Sequence, residues 1–473
     1  MLFHSFAYFL FFSVVFAVYW TLRVHERRMA WLVIASIVFY AAWSFWFVLL
    51  IGFTAGVDYV LALRIEDAVT PARRKTFLIV SLTVSLSLLI LFKYAGFLLD
   101  TSTGLLALFG VRVVPPVVRL ILPLGISFYT FETISYVVDV YRRRIPAERN
   151  PLHYALYIMF FPHLIAGPIV RPGQFLPQVR ARKHFDWPRL QLGIQIFLRG
   201  LGKKAVLGDR LALVIDPVFQ SPLAYSPAAL WLAAVGYAVQ AYCDFSGYTD
   251  MALGSAHALG FKLPQNFNRP YFADSISEFW RRWHITLSSW VRDYIYIPMG
   301  GSRGPRWQTY RNLIITMAAV GFWHGAGWTY IVFGVYHGLL LSFERAFPYP
   351  AWTNRGVARA LRIGSTFTLL CLGLVVFRSE SLGQAGLMLG RMLRPVLGAP
   401  FTLGQTFSPE SLRIALAIIA CIFAGHIIGG VKSIRRWERL APAAVLGIGL
   451  AVQFLLIQLL IPESGKPFIY FQF

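Results

Sequence analysis

An all-α polytopic membrane protein is the fold class this sequence predicts. Three observations carry it: scarce charge, long apolar runs, and basic residues gathered between those runs. Of 473 residues, 57% are hydrophobic, 16% aromatic and 14% charged. A soluble globular chain averages roughly 45–50% apolar and about 25% charged residues. Too few charged groups remain to coat a water-facing surface of this length. A soluble enzyme, a disordered regulator and a secreted disulfide scaffold are excluded together. Lys and Arg number 44 against 21 Asp and Glu, a net charge of +23. On a soluble chain that excess would suggest nucleic acid. Here the basic residues sit in connectors, such as Arg23/Arg27/Arg28, Arg73/Arg74/Lys75, Arg142/Arg143/Arg144 and Arg435/Arg436/Arg439. That is the positive-inside pattern of cytoplasmic loops, so the expected partner is a lipid bilayer and no nucleic acid. Cys243, Cys371 and Cys421 form no CxxC pair, which implies neither a disulfide framework nor a zinc site.

The elements follow in order. A span needs about 20 mostly apolar residues. Run 2–20 lacks a basic leader and a small-residue cleavage site, and reads as a retained helix rather than a signal peptide. Run 30–63 is too long for one span and holds two, with a turn near Trp43-Ser44. Further spans are expected at 77–99, 120–141, 152–170, 227–259, 313–343, 363–377, 412–428 and 443–461, with 227–259 open to a break and 313–343 again overlong. Roughly eleven or twelve transmembrane or re-entrant helices result, in one integral-membrane domain over 1–473 with a motif-rich core at about 120–345. Basic connectors 21–29 and 64–75 face the cytoplasm and place the N-terminus outside. Connectors 142–144, 355–362 and 432–439 keep that alternation, and Phe473 then ends outside as well. Basic segment 171–204 breaks the alternation, so 152–170 is read as re-entrant. No internal repeat stands out, which disfavours the inverted-repeat transporter folds.

From Pro162 to Arg311 the chain mixes Trp, Arg, His, Asp, Pro and Gly at membrane-like hydrophobicity. Non-helical backbone survives at that depth only where protein or a water-filled cavity satisfies it. Chemistry is expected there. Ser275-x-x-Glu278 is a capping box opening a helix. Along that helix Trp283, Leu287, Trp290 and Tyr294 form one apolar face, and Arg281, His284 and Ser288 lie on another. An interfacial helix with snorkelling arginines is the competing reading of the same text. The second element is Gly321-Phe322-Trp323-His324-Gly325-Ala326-Gly327-Trp328, inside an apolar run. An ionisable side chain in such a run is a functional hypothesis by default, because it is expensive to keep. Gly325 and Gly327 remove bulk beside it, so a backbone or ligand can approach. His337 lies 337 − 324 = 13 positions on. On a continuous helix that is roughly 20 Å away on another side, unless the glycines break the helix. His284 is the better partner for His324. Asp244, Asp250 and Glu132 are the intramembrane carboxylates available to orient it.

No HExxH, Walker A or dinucleotide fingerprint occurs, and no metal site is expected. A histidine working as general base or transient acyl acceptor remains, able to take a hydroxyl proton and return it to a leaving thiol.

The chain resembles the membrane-bound O-acyltransferase family, and within it the bacterial branch that acetylates alginate. The matching text is Pro123-Leu124-Gly125-Ile126-Ser127-Phe128-Tyr129-Thr130-Phe131, Phe161-Pro162-His163-Leu164-Ile165-Ala166-Gly167-Pro168-Ile169, Tyr242-Cys243-Asp244-Phe245-Ser246-Gly247-Tyr248-Thr249-Asp250 and Asn266-Phe267-Asn268-Arg269-Pro270-Tyr271, with the two histidine segments. The resemblance spans most of 120–341 and carries the family's two functional histidines onto His284 and His324, with His324 the essential one. It implies helices around a central funnel or tunnel. It also implies O-acetyl transfer from a cytoplasmic donor, acetyl-CoA, across the bacterial inner membrane, with no resident cofactor. The acceptor would be an exported polysaccharide, reached through a periplasmic partner. Arg281, Arg282, Ser288, Trp323, Asn268 and Asp250 are the expected substrate contacts. D-alanyl transfer to an envelope polymer, as in the teichoic-acid branch, and a non-catalytic export subunit are the alternatives.

Overall fold

The computed structural model describes residues 1–111, 113, 120–398, 400, 402, 404–429, 443–462 and 468. Among these, the chain is helical and forms no strand, only an isolated bridge between Tyr225 and Gln405. The basic connector 432–439 and the terminal Phe473 lie outside the described residues. Among the described residues, four helices are long and apolar enough to cross a membrane: Phe45–Asp67, Pro71–Leu108, Gly356–Arg378 and Pro409–Ile428. Phe6–Thr21 and Gly447–Leu460 are shorter apolar helices. The protein is a multi-pass membrane protein.

Two compact units divide the chain, Met1–Phe197 with Met251–Pro264, and Leu198–Asp250 with Gln265–Phe473. In the first, the overlong apolar run resolves into helices His25–Ala41 and Phe45–Asp67, with a turn at the expected Trp43-Ser44. Thr70 caps the next helix, its side chain accepting from Arg73 N, and Pro71 opens it where a missing N–H costs nothing. Asp58 is buried between these helices and accepts from Ser81 and Ser85 at 2.5 and 3.0 Å. A carboxylate at this depth is tolerated only with such partners.

Segment 152–170, read as re-entrant, is not one helix. Asn150 and Pro151 start a helix that ends at Met159, a second turn runs Phe161–Leu164, and irregular backbone follows to 171. Nine residues rise only about 14 Å, far short of a bilayer core. Buried polar groups make up for the lost helix. His163 Nδ1 lies 3.2 Å from Glu132 Oε1, the same oxygen accepts from Val170 N at 2.9 Å, and Tyr157 donates to the carbonyls of Glu132 and Val170. Segment 227–259, left open to a break, is instead a single helix, Pro227–Ala258. Its early residues are mostly Ala, Leu and Val, and no proline interrupts it.

Candidate active site

The second unit carries both histidine segments. The expected continuous helix through His284 does not form. Helix Ile276–Arg282 stops at Trp283, His284 takes a left-handed backbone (φ 42°, ψ 53°), and a new helix runs Ile285–Val291. The single apolar face drawn through Trp283, Leu287, Trp290 and Tyr294 is therefore broken at its first residue. A neighbouring segment compensates. Asn266 O accepts from Ile285 N at 3.0 Å, Asn266 Oδ1 accepts from Thr286 Oγ1 at 2.6 Å, and Asn268 N donates to Arg282 O at 2.9 Å. Left-handed backbone at a residue other than glycine costs roughly 1–3 kcal/mol and persists only where the surroundings over-determine it. Here it aims the imidazole inward. His284 is fully buried, with the Phe245 ring edge-on at 4.7 Å and Trp323 at 5.7 Å.

The expected span at 313–343 is a helical hairpin, Arg306–His324 and Trp328–Ala346. The turn is Gly325-Ala326-Gly327, and glycine also makes the crossing close. A Cβ at Gly321 would strike Tyr330 O, one at Gly334 would strike Met317 O, and one at Gly338 would sit 2.7 Å from Ile314 Cα. Small residues that let helix backbones approach are a device of membrane proteins. Gly325 admits the Tyr330 ring rather than a ligand, whereas Gly327 would meet that ring only at 3.4 Å, an ordinary contact.

Because the glycines break the helix, His337 returns to the neighbourhood of His324. His324 is buried, with Trp323 at 5.0 Å, Phe377 at 5.2 Å and Phe333 at 6.3 Å. Phe333 also packs on His337 at 4.6 Å, and Trp280 Nε1 donates to His337 Nδ1 at 3.3 Å. Both histidines line one narrow cavity of about 40 Å³, walled by Tyr271, Trp280, Trp283 and Phe377. One water needs roughly 10–15 Å³ on this measure, so the space takes a few waters or a slim acyl group and no nucleotide. The placement of His337 on a separate side is overturned, for the reason the glycines supply.

Trp280 lines a second space as well, a cleft of about 450 Å³ bounded by Arg281, Ser288, Arg292 and Arg345. Arg281 and Ser288 thus share one surface. Arg281 is 75% exposed and meets Glu278 only at 3.5 Å. Arg282 is held elsewhere, donating to Glu278 Oε1 at 2.8 Å and to Phe272 O at 3.3 Å. In the capping box Ser275 does accept from Glu278 N. The helix start is also closed by Glu344, whose carboxylate accepts from Ile276 N at 2.6 Å and Ser277 N at 3.0 Å.

The remaining expected contacts stand apart from the cavity lining. Asn268 is exposed, and Asp250 is 2.6 Å from Lys203 Nζ. The carboxylates nominated to orient His324 have other partners: Asp244 meets buried Lys204, which also meets Asp209, and Glu132 meets His163. The sequence reading set His337 aside and did not single out Trp280, Phe377, Arg292, Arg345 and Glu344. The Gly-Ala-Gly interruption was the signal for His337, and the rest had none short of tertiary structure.

Comparison with known proteins shows the family. The profile of the membrane-bound O-acyltransferase family matches residues 140–348, which include every histidine of the cavity. The chain is 43% identical over 389 residues to a probable alginate O-acetylase of Pseudomonas aeruginosa, covering 81% of this chain and 73% of that one. It is 38% identical over 500 residues to a probable alginate O-acetylase of Azotobacter vinelandii, covering 98% of both. A peptidoglycan O-acetyltransferase of Helicobacter pylori is 38% identical over 408 residues, covering 80% of this chain and 76% of that one.

Proposed function

The chain belongs to the membrane-bound O-acyltransferase family and is an O-acyltransferase, and we propose that it delivers acetyl groups to an exported polysaccharide such as alginate. The donor is a cytoplasmic thioester, acetyl-CoA, and the acetyl group crosses the inner membrane to a periplasmic partner that completes O-acetylation. The observation that carries the reading is the narrow cavity holding His324 and His337, with His284 one indole away at Trp323. The chemistry asks for a base in a narrow, aromatic-walled space. As the acceptor oxygen attacks the thioester carbonyl, His324 takes its proton, the C–S bond breaks, and the proton passes to the leaving thiolate. Alternatively His324 carries the acetyl group between two such steps. His284 stabilises charge on the carbonyl oxygen or positions the thioester.

The cleft with Arg281, Ser288, Arg292 and Arg345 suits a phosphate-bearing donor, since arginine offers bidentate donors to phosphate. Its thioester end would reach the cavity past Trp280. Arg282 supports Arg281 through the shared Glu278. Trp323 holds the two histidines in register, and Asn268 and Asp250 are assigned to the acceptor side. Eleven or twelve spanning or re-entrant helices around a central funnel, with both termini outside the cytoplasm, complete the proposal.

The test is single-turnover transfer from [14C]acetyl-CoA by the purified protein, with alginate and peptidoglycan glycan as acceptors, in the presence and absence of periplasmic extract. Acetyl transfer that is lost in a well-folded His324→Ala variant supports the reading, and label on the protein before acceptor is added identifies acetyl carriage. Unchanged transfer by His324→Ala, or D-alanyl rather than acetyl transfer, overturns it.

A further inference from the structure

A second cluster of ligating side chains lies in the first unit, away from the histidine cavity and unused by acyl transfer. His25 and Glu26 open the helix His25–Ala41, and His153 stands in the short helix Pro151–Met159. Each offers one ligating atom, and the three atoms lie within 4.8 Å of one another. We propose that His25, Glu26 and His153 bind a divalent transition metal, zinc being the best match, at the connector between the first two helices.

Four features point to a ligand here rather than to a plain ion pair. His153 Nε2 and Glu26 Oε1 are 3.3 Å apart, the separation of two ligands about 2.0–2.1 Å from a tetrahedral centre. His153 is buried, and its Nε2 is aimed at that point with no hydrogen bond made. His25 Nε2 is 2.8 Å from the carbonyl of Val179. Donating its N–H there leaves Nδ1 for a metal and fixes the tautomer, which is the usual outer-shell arrangement of a metal-bound histidine. The donor set, two imidazoles and a carboxylate, is one that zinc favours with water in a fourth position, and the 54% exposure of Glu26 leaves room for that water. The neighbouring cation does not compete for the site. Arg28 is turned away to the carbonyls of Leu22 and Lys183, over the Tyr19 and Trp20 rings.

A bound metal would tie together the first connector and the start of the short 151–159 helix and, through His25, Val179 at the end of helix Pro172–Arg180. The reading of 152–170 as irregular makes such a tie useful, because a nine-residue helix is marginal by itself. No ligand motif in the sequence announces the site, since Glu26 and His153 are far apart along the chain.

Full-length protein, purified with a tag that contains no histidine and stripped with EDTA, would be titrated with Zn2+ and read by metal analysis and thermal unfolding in detergent. One zinc per chain and a raised melting temperature are expected, both lost in His153→Ala. Glu26→Gln keeps the side chain's size and removes a ligand, so it should fold and still lose most of the metal. Cobalt loading should give the strong visible bands of a tetrahedral site in the parent protein only. Zinc retained equally by His153→Ala and Glu26→Gln, or no zinc above the detergent blank in the parent, would overturn the proposal.

Discussion

The two units keep their buried histidines in opposite company. In the first, His163 faces the Glu132 carboxylate at 3.2 Å, and that carboxylate is held in turn by a backbone N–H. In the second, His284, His324 and His337 are walled by indole and phenyl rings. The difference separates an imidazole held by a charged partner from imidazoles held by the shape of aromatic walls. A carboxylate partner at full burial fixes a histidine's orientation and satisfies irregular backbone around it. Aromatic walls position a ring by shape rather than by charge.

The largest effect that would break this comparison is on stability. Glu132→Gln should destabilise the first unit by about 3–5 kcal/mol, because it strips one partner from a buried pair. The folded fraction in detergent should fall while transfer per folded molecule is kept. If folded yield holds and the specific rate collapses, His163 and Glu132 belong to the chemistry and the contrast is wrong. Next in size is His337. With its Nδ1 accepting from Trp280, His337→Gln should slow turnover by roughly 10–100-fold without loss of folded protein, less than His324→Ala. A variant as active as the parent would return His337 to a packing role. The smallest effects come from the hairpin. Gly321→Ala should cost about 1–3 kcal/mol, because its Cβ has no room against the Tyr330 carbonyl. Gly327→Ala, whose nearest contact is 3.4 Å, should change the melting temperature little. Equal effects at both positions would show that the close crossing does not set the position of His324.

Composition and hydropathy made the membrane class, most helix positions and the turn at Trp43-Ser44 legible, because those follow from local physics. The expense of an ionisable group in an apolar run likewise pointed to His324. Periodicity failed at Trp283-His284, where it presumes a helix that Asn266 interrupts by binding Ile285 and Thr286 from another segment. It failed again for His337, since a face drawn on one helix has no meaning across the turn at Gly325-Ala326-Gly327. Glu344 closing the helix at Ile276 could not be foreseen, because its carboxylate arrives from a helix that begins at Trp328.

Trp280 lines both the arginine-bounded cleft and the histidine cavity. One indole therefore borders both a cleft edged by arginines and an aromatic-walled histidine cavity. A change of its rotamer is a far smaller event than the sliding of helices. The same indole holds His337 through its N–H, so swinging it aside would also release an imidazole nitrogen. Arrival of a donor and readiness of the chamber would then be one movement.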